Sequence, residues 1–155
     1  MNQEADQTNT LQSVPHGVVA EDSEHQPPKV WFGDDGIMRI DFGYNGRITT
    51  ESVQYAHEYH LSVTPEPAPI LCLSQRVVHA DYKALRLARS PEYTQCIGAI
   101  ALVTGHFLAE FFAQQFLNYH RPTYPAKAFR DEQKALQWLN EVYPAQTQKL
   151  AQPSR

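Results

Sequence analysis

Cysteine is scarce in this chain: two in 155 residues, Cys72 and Cys96, each inside an apolar run. Two thiols this far apart form no disulfide framework and no Cys-x-x-Cys metal motif, and in such runs they behave as small hydrophobes. A reducing, cytoplasmic setting is the expectation. Positive charge is also short. Lys and Arg number 13 against 17 Asp and Glu, for a net charge of −4 and a pI near 5.9, so the basic footprint of a nucleic-acid binder is missing. No apolar run approaches the roughly 20 residues that span a bilayer, and the N-terminus has neither the basic start nor the apolar core of a secretory signal.

Catalytic signatures are equally thin. There is no Gly-x-Gly-x-x-Gly or Walker phosphate loop and no Gly-x-Ser-x-Gly nucleophile elbow. His57-Glu58-Tyr59-His60 falls one residue short of the helical zinc-protease spacing. With no third ligand in view, both histidines are read as helix-surface residues, and neither metal nor cofactor is expected. Ser74 stands just after a strand but lacks the glycine turn that would present it. His79 and His106, with Asp81 as an orienting group, have no separation that the sequence fixes. Enzymatic activity is therefore not the leading reading.

What is present is a clear alternation of strands and helices. Val30-Trp31-Phe32 and Ile37 to Phe42 flank Gly33-Asp34-Asp35-Gly36, a strong hairpin signal, with Ile40 and Phe42 on one face and Arg39 and Asp41 on the other. Thr49 or Thr50 caps a helix to about Ser62, and Pro65, Pro67 and Pro69 stop it. Ile70 to Leu73 is a buried strand. A helix starting near Asp81 ends around Ser90-Pro91. Cys96 to Val103 reads as a strand buried on both faces, and Thr104-Gly105-His106 breaks it ahead of an aromatic helix from Phe107 to Tyr119. After Pro122 and Pro125, Ala126 to Arg130 makes a last strand, and Asp131 caps a helix that buries Ala135, Trp138, Leu139 and Val142. The order β-β-α-β-α-β-α-β-α implies an α/β fold, a mixed sheet with helices packed on it. Residues 1–28 are polar and read as a disordered tail, 29–144 as the domain, and 145–155 as a second tail.

The closing phrase Phe129, Asp131, Ala135, Trp138, Leu139 resembles the STAS-like proteins, named for sulfate transporters and anti-sigma-factor antagonists, and in particular their small stand-alone bacterial members. The likeness runs from Lys29 to Tyr143 and implies a non-enzymatic regulatory domain that binds a protein partner. Family antagonists carry a phosphorylatable Ser or Thr in an Asp-Ser-x-Gly context. The corresponding stretch here, Ser74 to Asp81, has no such phrase.

Strand carboxyl ends gather binding surfaces in α/β sheets, which places the partner-binding candidates at Ser74, Gln75, Arg76, His79, Asp81, Thr104, Gly105 and His106. The aromatic helix supplies a second candidate surface. Phe107, Phe111, Phe112 and Phe116 cover more than one stripe, which suits core packing, a homodimer face, or a pocket for a lipid or other apolar small molecule.

Overall fold

A computed structural model describes residues 27–43, 46–75, 77–105 and 107–144, without the side chains of residues 77–78, 107–109, 112 and 116. The two tails, but for residues 27 and 28, lie outside the described residues. A five-stranded sheet is built from β1 (Lys29–Phe32), β2 (Met38–Asp41), β4 (Ala68–Ser74), β6 (Ile97–Thr104) and β7 (Ala126–Phe129) in that spatial order. Strands β1 and β2 pair antiparallel through the expected turn, where Gly36 takes φ 76° and its amide donates to the Gly33 carbonyl at 3.0 Å. The remaining pairings are parallel. Two short strands that the sequence reading left in loops, β3 (Gly46–Ile48) and β5 (Val77–Ala80), pair in parallel as a separate ribbon.

The helices are α1 (Thr50–Val63), α2 (Tyr82–Ala88), α3 (Pro91–Thr94), α4 (Phe107–His120) and α5 (Glu132–Val142). Thr49 is the N-cap of α1, in a capping box with Ser52, and Asp131 caps α5 by accepting from the Lys134 amide at 3.1 Å. Asp81 precedes α2 without capping it, because His79 Nε2 holds its carboxylate at 2.6 Å.

Because β2, β4, β6 and β7 advance steadily across the sheet and parallel crossovers are right-handed, the connecting helices all fall on one face. Among the described residues α5 alone is left for the other. That second face packs tightly: Ile37, Leu71, Ala99, Ala101, Ala135 and Leu139 are each fully buried, with Phe129 beside them. Gly98 is part of the fit. It is the extra residue of a bulge opposite Ala68 and Pro69, and a Cβ there would stand 2.6 Å from the Tyr143 ring.

Two expectations for α5 need correction. Leu139 and Ala135 anchor the helix, whereas Trp138 is only partly buried, its ring tilted against Phe129 at 5.6 Å, and Val142 is 37 % exposed. The small β6 alanines bring α5 close enough for Ala135 to reach the sheet, leaving the larger side chains at its margins.

Candidate functional site

The crossover face is incompletely covered. At about 1.5 Å per residue the seven-residue α2 extends about 10 Å, against about 26 Å for the eight residues of β6 at about 3.3 Å each. Several helical residues facing the sheet are also small, among them Ser52 and Ala56 of α1, Ala88 of α2 and Ala113 of α4. A cavity of ≈ 690 Å³ results. Its floor is Met38 and Ile40 of β2, Ile70 and Cys72 of β4, and Ile97, Ile100 and Leu102 of β6. Leu85 and Leu117 add to its roof.

Burial follows the void. Leu71, Ala99 and Ala101, which point to α5, have no exposed surface, while their neighbours Cys72, Ile100 and Leu102 retain some on the cavity side. Burial away from bulk water pushes the Cys72 thiol up to about 12. It is therefore a neutral wall residue near pH 7.

The two helix histidines correct the sequence reading. His60 is 1 % exposed and the His57 side chain 9 %, so both turn inward and line the cavity. Residues Ser52, Ala56 and His60 recur at four-residue spacing as the buried stripe of α1, a stripe without a large apolar residue to betray it. His60 Nε2 lies 2.8 Å from the Glu66 carbonyl, to which a neutral Nε2–H tautomer donates, and Phe32 packs edge-on at 5.6 Å. Burial holds its pKa below the ordinary value, and nearby His57 adds to this against the opposing Glu66 bond. His57 stacks on Tyr93 with ring centroids 4.0 Å apart, and its Nε2 has no hydrogen-bond partner. Glu92 Oε1 stands at 3.9 Å, within ion-pair range but beyond hydrogen-bond reach.

At the strand carboxyl ends, Ser74 lies in register with Thr104, and the Gly105 amide donates to the Gln75 carbonyl at 3.3 Å. A Cβ on Gly105 would meet that carbonyl oxygen at 2.8 Å, so glycine lets the two loops touch. Thr104 Oγ1 donates to the Phe129 carbonyl at 3.4 Å. Ser74, Gln75, Thr104 and Gly105 thus come together, with the exposed His79–Asp81 pair on the adjoining ribbon. Arg76 and His106 lie outside the described residues. Of the four phenylalanines singled out in the sequence, Phe111 is 50 % exposed and the other three side chains are outside the description; Ala113 and Leu117 are the α4 residues described in the cavity wall.

The Ser74 hydroxyl is buried without a hydrogen-bond partner. Tyr124 also faces the cavity, and burial is the main cause raising its phenol above the usual range. Among the described residues no three His, Cys, Asp or Glu side chains converge on a metal position, and no helix is long and apolar enough to cross a membrane.

No curated protein matches the chain. Among solved structures, an uncharacterised protein of the DUF3478 family with a SpoIIAA-like fold, from Shewanella loihica PV-4, is similar at 18 % identity and a TM-score of 0.51, over 72 % of this chain and 91 % of that one. The architecture is accordingly SpoIIAA-like, that is, STAS-like. A family model described as "Domain of unknown function (DUF7793)" matches residues 30–143, and by that match the chain belongs to the DUF7793 family.

Proposed function

We propose that this chain is a non-enzymatic, cytoplasmic STAS-like domain that binds a small apolar molecule on the crossover face of its sheet. The observation that carries the reading is the cavity of ≈ 690 Å³ with its apolar floor and roof, a volume typical of small-molecule sites. The cavity opens to solvent, so a guest competes with water there. Its walls offer water few partners, so an apolar guest that displaces water gains free energy.

Titration of the full chain with 1-anilinonaphthalene-8-sulfonate tests this. One-to-one binding with enhanced fluorescence is expected, lost in Ile100→Trp, whose indole would fill the cavity floor. Absence of saturable binding, or binding that survives Ile100→Trp, would overturn the reading.

A protein partner at the strand ends is the second reading. It is favoured by the meeting of the Ser74–Gln75 and Thr104–Gly105 loops beside the cavity, with Arg76, His79, Asp81 and His106 as the remaining candidates. A partner there would be positioned to sense the bound molecule. Gln75→Trp with His79→Glu should then abolish capture of a binding protein without changing dye affinity. Loss of self-association in the same variant would identify a second copy as the occupant.

A further inference from the structure

Positive charge collects beside the cavity where α2 and α4 end. Residues 82–91 hold Lys83, Arg86 and Arg89 with no Asp or Glu, and residues 111–130 hold His120, Arg121, Lys127 and Arg130, again with none. In a chain of net charge −4 that is a local reversal of sign. The two helix C-termini contribute about half a negative charge each, so the full charges of Lys83, Arg86, Arg89 and Arg121 leave the region positive.

Arg89 is the cation that meets the cavity. It is exposed, it follows the wall residue Ala88, and its Nη1 donates to His120 Nδ1 at 2.9 Å, which ties the end of α2 to the end of α4. Arginine keeps its proton, so Nδ1 is the acceptor of that bond. Leu117, one helical turn before His120, and Tyr124 are wall residues too. Burial raises the Tyr124 phenol, and the Arg89 charge stands near enough to pull against that rise. The guanidinium thus lies at the rim with its other N–H donors unspent. Among the described residues the ion pairs engage Arg39, His57, His79 and Arg130 and leave Arg89 without a carboxylate. The described wall itself holds no Asp, Glu, Lys or Arg, so the charge at the rim has no rival inside.

Resting on the cavity-binding reading above, we propose that the guest is an anionic amphiphile, with its apolar body in the cavity and its head, a carboxylate or a phosphate, on Arg89. The planar guanidinium presents paired donors that match either head. His120 acts as a positioning residue, since its bond to Nη1 holds the guanidinium at the rim.

Two dyes with the same rings isolate the head: 1-anilinonaphthalene-8-sulfonate carries an anion and N-phenyl-1-naphthylamine does not. In fluorescence titrations of the full chain, the affinity ratio of the sulfonate to the neutral dye should fall about tenfold in Arg89→Gln, the worth of one charge-assisted hydrogen bond. The neutral dye should bind unchanged. Arg89→Lys should keep most of the ratio, and Lys134→Gln, at an exposed position of α5, all of it. Decanoate and decyl phosphate should each lose about tenfold in power to displace the neutral dye in Arg89→Gln, while 1-decanol loses none; the stronger of the two on the parent chain names the head. A ratio unchanged in Arg89→Gln, a parallel loss of both dyes, or an equal fall in Lys134→Gln would overturn the anionic-head assignment while leaving the cavity reading intact. Failure of both dyes to bind the parent chain would overturn both.

Discussion

Replacing Cys72 by leucine asks whether the crossover face is hollow. Cys72 lies on the cavity floor in register with Leu102, midway along β4. Leucine adds two methyl-sized groups beyond the sulfur position, worth about 0.8 kcal/mol each when buried, so filling existing space should stabilise the fold by about 1–1.5 kcal/mol. In a filled core the same growth would cost about 1–3 kcal/mol, and the sign of the change decides. Ala101→Leu is the matched control: Ala101 is fully buried in the tightly packed face under α5 and has no room to grow. Urea denaturation of both variants, with the slopes compared to confirm two-state behaviour, should move the midpoint up for Cys72→Leu and down for Ala101→Leu. Dye affinity should fall in the first and not in the second. Destabilisation of Cys72→Leu by 1 kcal/mol or so, with dye binding unchanged, would refute the cavity argument.

Other expectations follow from particular groups. Leu139→Ala should cost about 2–5 kcal/mol, since Leu139 is fully buried, and Trp138→Ala should cost less because that ring is only partly covered; equal losses in urea titrations would place the α5 anchor wrongly. His60 has a lowered pKa in the fold, so the unfolded chain takes up its proton first and stability should fall as pH drops below about 6.5; denaturation midpoints from pH 7.5 to 5.5 should lose part of that slope in His60→Asn. For Cys72 the shift is upward, from 9.0 to about 12, so the unfolded chain loses its proton first and stability should fall as pH rises above 9, by at most about 1.4 kcal/mol per pH unit. Cys72→Ala should flatten that alkaline limb, leaving the contribution of Tyr93, Tyr124 and Tyr143, which are raised as well.

The legible parts of this fold were those written in local periodicity and capping. Alternation along Ile37 to Phe42 put Ile40 and Phe42 on one face, where both join one core cluster, and the Thr49 and Asp131 caps fall at the helix starts where the sequence placed them. The β3–β5 ribbon is not legible in the sequence because each strand is three or four residues long and its pairing joins residues 31 or 32 apart. The inward histidines were hidden by the weak apolar signal of α1, whose buried stripe is Ser52, Ala56 and His60. On α4 the described cavity residues are Ala113 and Leu117, and the side chains of Phe107, Phe112 and Phe116 lie outside the description. A cavity is a deficit, and no residue type announces it.

Its location nevertheless follows from topology once the strand order is known. Steadily advancing parallel strands send every crossover helix to one face, so that face is roofed by three separate connections whose lengths were set independently. The opposite face meets a single helix, and there β6 supplies Ala99 and Ala101 against Ala135 and Leu139 of α5. Small sheet residues under one helix allow close approach and a filled interface. Across the sheet the arrangement is reversed: Ile70, Ile100 and Leu102 rise from the strands, while Ala56, Ala88 and Ala113 face them from the helices. The seven-residue α2 is too short to cover the length of β4 and β6. Stability is thereby concentrated on the α5 side. The crossover side is left free to hold a guest, and substitutions there should alter binding more than folding, the reverse of those under α5.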